Sequence, residues 1–181
     1  MPSIPSSSAN SASSTLPLGA CLRGWLDHLQ RNQRLSIIRP GINLSFGVAG
    51  IANRLDGQSA SLFIKPGGHE IPVISGLLSD RRWMAEAMGV EPSQVLERFE
   101  HACLEPLPWL ETAEPSCQQV VHHEVSLLGQ LPIPTHNEHD SGAYITAGLL
   151  ITRNPHTGVQ NVSIHRLQVS GPDRLGALLL P

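Results

Sequence analysis

The chain has 181 residues, of which 40% are apolar and 15% charged, and its formal net charge is −3. This length suits one medium domain or one small domain with part of another, and the charge balance lacks the clustered basic face of nucleic-acid-binding proteins. Lys65 is the only lysine, so a Schiff-base lysine is not expected, whereas arginine recognition of a carboxylate or phosphate stays open.

Cysteine usage indicates a reducing compartment. Cys21, Cys103 and Cys117 are widely spaced and form no CxxC pair, so we expect reduced thiols in the cytoplasm. No run of about 18 apolar residues predicts a membrane span. Residues 1–17 are Ser-rich and lack the basic and apolar regions of a signal peptide, so they are predicted to form a disordered tail.

Residues 18–104 are predicted to form an N-terminal α/β domain, because helix and strand patterns alternate along them. Apolar residues recur at helical spacing over 18–32. Ser79 as the N-cap and Gly89 as the stop predict a helix over 80–88. The remaining predicted elements are strands over 35–38, 61–64 and 71–74, a helix over 93–103, and a segment over 45–54 that is ambiguous between helix and strand.

Residues 105–119 are predicted to be a Pro-rich linker, and strands are predicted over 120–181. The clearest signal there is a β-hairpin whose two strands flank a turn at Asn154–Gly158. Its strands cover 143–152 and 159–170, with short apolar runs at 120–121 and 125–128 before them and a last strand at 175–180.

The second hairpin strand carries the residues that point to chemistry. Strict alternation places Asn161 on one face and Arg166 on the other, with Ser163 and His165 beside Asn161. A buried arginine needs a counter-charge, because an unpaired buried cation is very costly. The strand alone therefore indicates either a structural ion pair with a carboxylate elsewhere or a bound anion.

Four segments, taken in chain order, resemble the cofactor-binding region of the UbiD-type decarboxylases. They are 131–136, 140–146, 149–155 and 161–168. The resemblance implies an α+β fold, in which the N-terminal domain precedes the first strands of a split, flavin-reductase-like β-barrel. It also implies non-oxidative, reversible decarboxylation of an aromatic, heteroaromatic or α,β-unsaturated carboxylic acid with prenylated FMN.

The resemblance also assigns roles to residues. The Asn at the position of Asn161 binds a divalent metal, usually Mn²⁺ (K⁺ is a further candidate), beside the cofactor phosphate. Arg166 contacts the cofactor and faces the substrate carboxylate as the catalytic residue, and the position of His165 is often aromatic in the family. The other cofactor contacts implied are Ser163, Ile164, His165, Leu178, Leu179 and Leu180, with Thr146 near the cofactor.

Asn161 and Arg166 are five positions apart, so an ideal strand would direct them to opposite faces. A shared site therefore predicts a β-bulge or a strand end between residues 161 and 166. Regular alternation throughout this stretch would count against a common site.

Family members are much longer than this chain, so we expect either a fragment of an enzyme or a natural short protein. The implied partners are a small carboxylic acid, a flavin prenyltransferase that supplies the cofactor, and further copies of the chain in a homo-oligomer. One alternative is a non-catalytic assembly or binding module that keeps the fold. Another alternative is a metal hydrolase whose metal is bound by the polar cluster at 136–140. If this cluster binds no metal, it is predicted to be a solvated loop.

Overall fold

The computed structural model describes residues 18–108 and 111–179, so the predicted tail at 1–17 lies outside the described residues. The chain divides into two compact units. Within the described residues, the first comprises 18–33 and 80–108, and the second comprises 34–79 and 111–179. The domain boundaries predicted above at 18–104, 105–119 and 120–181 stay a prediction.

The first unit is built from helices α1 (Leu22–Arg31), α3 (Arg81–Met88) and α4 (Val95–Leu104). Its core consists of Trp25 and Leu29, one turn apart in α1, together with Trp83 and Ala85 of α3. His28 Nε2 lies 3.0 Å from Glu86 Oε2 and joins α1 to α3. The predicted helices over 18–32, 80–88 and 93–103 are therefore confirmed apart from their ends.

The first residue of α3 corrects one prediction. Asp80, not Ser79, is the N-cap, since Asp80 has the extended backbone of a cap residue and its carboxylate accepts from the Arg82 N–H at 2.8 Å. The same carboxylate raises the pKa of Arg82 through a side-chain hydrogen bond and through its charge. Gly89 ends the helix in the left-handed conformation, as predicted.

The second unit contains two three-stranded sheets. In the first sheet β2 (Ala60–Phe63) lies between β1 (Leu35–Ile38), which is parallel to it, and β3 (Val73–Ser75), which is antiparallel. Helix α2 (Gly47–Leu55) packs on this sheet and resolves the ambiguous segment as a helix. Val48, Ala60, Phe63 and Ile133 are buried in this unit.

The second sheet has the order β4–β5–β6 and is antiparallel throughout. It contains β4 (Tyr144–Arg153), β5 (Gln160–Gly171) and β6 (Arg174–Ala177). The predicted hairpin is confirmed. The predicted last strand is shorter than expected, because pairing with β5 ends at Ala177.

The apolar runs at 120–121 and 125–128 do not form strands, so that prediction is wrong. Val120 and Val121 are exposed and have no sheet partner. Residues Leu127–Gln130 form a short helix, α5, whose first residue donates its N–H to Pro172 O at 2.7 Å. Apolar character without a neighbouring strand edge was not enough to form a strand.

Candidate functional site

The β4–β5 hairpin is held at its tip by a local polar turn. The Asn154 side-chain oxygen accepts from the N–H groups of His156 and Thr157 at 2.8 and 3.1 Å. Gly158 has φ +72°, a conformation that glycine adopts without steric cost, and donates its N–H to Asn154 O. This turn fixes the register of the two strands, which carry most of the predicted site residues.

The pairing of β4 with β5 is regular from Gln160 to His165. The predicted break in β5 between residues 161 and 166 is therefore absent, and that expectation is wrong. The irregularity lies in β4 instead, where Thr146 and Ala147 stand opposite Arg166 alone. Two residues facing one is the definition of a β-bulge, and a bulge adds local twist opposite Arg166.

The regular stretch gives β5 two distinct faces. Asn161, Ser163 and His165 lie on one face and are opposite Thr152, Leu150 and Gly148 of β4. Val162, Ile164 and Arg166 lie on the other face. Asn161 and Arg166 thus point to opposite sides of the sheet, and the structure does not bring them together in one cavity of the described chain.

Asn161 offers a neutral amide oxygen, a hard donor that suits Mn²⁺ or K⁺. Its side chain is exposed, near the turn that joins β4 to β5. Within the described residues, no group of three or more His, Cys, Asp or Glu side chains surrounds a possible metal position. Asn161 therefore fits one ligand of a metal centre.

Arg166 fits the recognition of an anion. It is exposed, and no ion pair holds its guanidinium within residues 18–108 and 111–179, whereas Arg82 and Arg174 each lie beside an aspartate. The structural ion pair considered from the sequence is therefore absent among these residues. A planar guanidinium without a counter-ion is suited to two parallel hydrogen bonds with a carboxylate or phosphate.

The other predicted cofactor contacts differ in their exposure. Ile164 is exposed, whereas Ser163 and His165 are half-buried on the Asn161 face. Leu178 and Leu179 follow the end of β6 and are exposed, and Leu180 lies outside the described residues. Thr146 occupies the bulge. The roles assigned to all of these residues stay predictions.

The polar cluster at 136–140 is organised as a turn and does not form a metal site. Asp140 accepts from the Asn137 N–H at 3.0 Å, and Asn137 accepts from the His139 N–H at 2.9 Å. Glu138 and His139 are exposed. The alternative of a metal hydrolase therefore has no support in this part of the described chain.

Sequence reasoning missed a cavity of about 330 Å³ in the second unit. Its walls come from α2, from β3, from the segment 131–136 and from the first residues of β4. Most of them are apolar, and the walls include His136, which the sequence had placed in a solvated loop. The sequence feature that could have indicated an apolar wall is the alternation of proline with apolar residues over 131–134.

Two family models match the chain one after the other. The model of the 3-octaprenyl-4-hydroxybenzoate carboxy-lyase N-terminal domain matches residues 26–103. The model of the UbiD 3-octaprenyl-4-hydroxybenzoate carboxy-lyase Rift-related domain matches residues 109–181. Both models describe domains of the same carboxy-lyase.

Curated relatives agree with this assignment. The anhydromevalonate phosphate decarboxylase of Methanosarcina mazei is 33% identical over 159 residues, which are 88% of this chain and 36% of that protein. The enzyme of the same name from Methanothermobacter thermautotrophicus is 31% identical over 160 residues, 88% of this chain and 36% of the relative. The chain thus spans about a third of the length of the curated relatives it matches.

Solved structures of the UbiD-class enzyme HmfF from Pelotomaculum thermopropionicum share the fold. An evolved dimeric form in complex with prFMN has a TM-score of 0.83 and 41% identity over 88% of this chain and 38% of that chain. The FMN complex has a TM-score of 0.84 and 41% identity over 88% of this chain and 36% of that chain. The mixed α/β architecture with two small sheets is therefore that of UbiD-class enzymes.

Proposed function

Because the chain belongs to the UbiD family of carboxy-lyases, we propose that it provides part of the cofactor-binding region of a decarboxylase. The reaction is the non-oxidative, reversible decarboxylation of an aromatic, heteroaromatic or α,β-unsaturated carboxylic acid. The observation that carries the proposal is the 41% identity, over 88% of this chain, to an enzyme whose structure holds prFMN. We further propose that β4, β5 and β6 are the first strands of a split, flavin-reductase-like barrel.

The relatives support the class of substrate. Two of them are named anhydromevalonate phosphate decarboxylases. An anhydro derivative of a β-hydroxy acid such as mevalonate carries a double bond next to its carboxylate, so it is an α,β-unsaturated acid. A phosphorylated acid also offers two anionic groups, and an arginine without a counter-ion suits either one.

When bound, prenylated FMN would supply the electron sink that decarboxylation requires. The residues of this chain would bind and orient. Asn161 would donate one oxygen to a Mn²⁺ (or K⁺) ion beside the cofactor phosphate. Ser163, Ile164 and His165, with Leu178, Leu179 and Leu180, would line the cofactor, and Arg166 would hold the substrate carboxylate in a fixed orientation.

Asn161 and Arg166 lie on opposite faces of β5, yet both are proposed to contact one cofactor. The bulge at Thr146 and Ala147 affects the direction of the strand between them. A flavin nucleotide is long, and its phosphate lies far from its ring system. The two side chains therefore need to reach different ends of the ligand and need not meet. Extra twist opposite Arg166 turns that end of β5 relative to the Asn161 end.

The test is to produce the chain in cells with and without a flavin prenyltransferase, then to record its visible spectrum and its metal content. Bound prenylated FMN and manganese are the expected result. Release of CO₂ from aromatic, heteroaromatic and α,β-unsaturated acids would then be measured. A colourless, metal-free protein would contradict the proposal and favour the non-catalytic assembly or binding module.

Two pairs of variants separate the roles. Asn161→Ala is expected to lower the manganese content by roughly tenfold or more, whereas Asn161→Asp keeps an oxygen ligand and retains the metal. Arg166→Lys is expected to keep the cofactor and to slow CO₂ release by roughly 100-fold, because lysine lacks the planar fork. Arg153→Lys, on the same hairpin, is the matched control and should be neutral.

We also propose that the protein works in the cytoplasm as a homo-oligomer, with its cofactor supplied by a prenyltransferase. The three cysteines are free and exposed, which suits a reducing compartment. No helix in the described parts of the chain combines the length and apolarity needed to span a bilayer.

A further inference from the structure

The turn that joins α2 to β2 contains the only aspartate–glycine pair of the sequence, and no asparagine–glycine pair occurs. Asp56 has φ −57° and ψ 136°, and Gly57 has φ +71°. The Gln58 N–H donates to Leu55 O at 3.0 Å and closes the turn. These angles and this bond match a type II β-turn, in which the third position requires a positive φ and therefore favours glycine.

Two groups at the centre of this turn are exposed and without partners. In the part of the chain that the structure describes, the Asp56 carboxylate makes no hydrogen bond or ion pair, and the Gly57 N–H donates to no acceptor. A Cβ atom at Gly57 would meet no atom within 4 Å, so the space around it is open. By contrast, Arg82 holds the Asp80 carboxylate, and the Asp140 carboxylate accepts from the Asn137 N–H.

The peptide unit between Asp56 and Gly57 can rotate while the turn stays closed. Its C=O and N–H have no partner among residues 18–108 and 111–179, because the closing bond joins Leu55 to Gln58. Rotation of this unit converts a type II turn into type I, and glycine accepts φ of either sign. It also carries the Gly57 nitrogen towards the Asp56 side chain, an approach that ψ 136° does not provide. The two groups can therefore meet without unfolding of the protein.

We propose that Asp56 is a site of spontaneous covalent modification, at which the Asp56–Gly57 linkage isomerises to an isoaspartyl linkage. The Gly57 nitrogen bonds to Asp56 Cγ, and one carboxylate oxygen leaves as water with the amide proton and a proton from solvent. Water then adds to the main-chain carbonyl carbon of the cyclic imide, and the bond from this carbon to the Gly57 nitrogen breaks. The chain now continues through Cγ, the former main-chain carbonyl is a carboxylate, and one proton returns to solvent.

The isomer lengthens the main chain by a methylene group next to well-packed residues. Ser59 is buried, and its Oγ lies 2.7 Å from Ser36 Oγ. Ala60, the first residue of β2, is inaccessible to solvent and donates its N–H to Arg34 O at 2.9 Å. The additional methylene must distort the turn or these contacts, so the modified protein should be less stable than the original.

The test is incubation of the purified chain at physiological temperature and pH, followed by tryptic digestion. Cleavage after Arg54 and Lys65 releases residues 55–65, in which the isomer has an unchanged mass but a different retention time. Protein isoaspartyl methyltransferase with a labelled methyl donor identifies the new carboxylate. Conversion at Asp56 should proceed within about tenfold of its rate in the synthetic peptide 55–65, because the native turn leaves both groups accessible. Slower conversion than this would overturn the proposal.

Asp173 is the matched internal control, since it is also exposed in a turn but is followed by Arg174. It should stay unmodified while Asp56 converts, and equal conversion of the two would show that exposure alone controls the reaction. Asp56→Glu keeps the charge but would have to form a larger ring, so its residues 55–65 should yield no isomer. An isomer found there in this variant would contradict the assignment to Asp56.

Calorimetry tests the effect on the fold. The aged wild-type protein should show a second unfolding transition, at least about 2 °C below the first, whose share follows the isomer content. The aged Asp56→Glu variant should show a single transition. A single, unchanged transition in wild-type protein that contains the isomer would refute the distortion at β2. The site and its test do not depend on the proposed decarboxylase activity.

Discussion

The two sheets of the second unit have the same number of strands but very different surroundings. In the β1–β3 sheet, three of the four residues of β2 are buried, and Phe63 is completely inaccessible to solvent. In the β4–β6 sheet, no residue of any strand is buried. The longer strands, with the clearer sequence pattern, are the more exposed ones.

The exposed sheet has an apolar face that its neighbours do not cover. Leu149 pairs with Ile164 and Ile151 pairs with Val162, and all four side chains are exposed. The predicted cofactor residues Ile164 and Arg166 lie on this same face. We infer from the contrast that the first sheet stabilises the fold, while the second sheet presents side chains for binding.

Truncation of the most buried side chain should have the largest effect. Phe63→Ala removes a fully buried ring from β2 and should lower the free energy of unfolding by about 3–5 kcal/mol. Urea denaturation followed by circular dichroism measures this change. Phe99→Ala, at an exposed position of α4, is the matched control and should cost less than about 1 kcal/mol. Similar losses for the two variants would contradict the assigned core.

A smaller effect is expected where the exposed sheet is tightly packed. A Cβ atom at Gly148 would lie 2.9 Å from Leu167 Cδ1 and 3.1 Å from His165 O. Gly148→Ala should therefore destabilise the protein by about 1–3 kcal/mol. Gly50→Ala, in α2, meets no atom within 4 Å and should stabilise it by about 0.5–1 kcal/mol. Thermal denaturation of both variants tests whether the two substitutions change stability in opposite directions.

A half-buried hydroxyl pair between β1 and the residue before β2 should contribute about 1 kcal/mol. Ser36 Oγ lies 2.7 Å from Ser59 Oγ, and Ser59 is buried. Either single alanine variant leaves one hydroxyl without its partner, whereas the double variant should be less destabilised than the sum of the two. Ser170→Ala, exposed in β5, is the control. Additive losses in the double-mutant cycle would show that the two hydroxyls act independently.

The smallest effect on stability is expected at the exposed apolar face. Ile164 is 76% exposed, so Ile164→Thr, which keeps a β-branched side chain, should change the free energy of unfolding by no more than about 0.5 kcal/mol. Under the proposed function, the same variant should bind less prenylated FMN. A large loss of stability, with cofactor binding unchanged, would reverse the roles given to the two sheets.

The sequence was most informative where structure depends on nearby residues. The hairpin was predictable because Asn154 and Gly158 mark its turn locally, and the end of α3 was predictable from Gly89. The helix at α2 was ambiguous because Gly47 and Gly50 weaken helical propensity, and its packing on the first sheet decided the outcome. The strands expected at 120–121 and 125–128 did not form, because no neighbouring strand packs beside these apolar residues.

The geometry of the candidate site was not predictable from the sequence. The motif around Asn161 and Arg166 indicates the family from the sequence alone, whereas their placement on opposite faces follows from a register that only pairing defines. The cavity was not predictable, because its walls come from segments as far apart as Val48 and Ala147. Asn137, Glu138 and His139 do form a polar loop, but the fold covers the Nδ1 atom of His136.

The extra residue in β4 also changes which side chains share a surface. If β4 kept all its residues and paired without a bulge, Ile145 and Leu149, four positions apart, would face the same way. With it, Tyr144 stands opposite Gln168 and joins Leu149 and Ile164, while Ile145 turns to the side of His165. One strand thereby lines the partly open cavity with its first four residues and the exposed face of the sheet with the rest. Removing Ala147 would leave one residue opposite Arg166 and keep both halves of the strand facing the sides they face now.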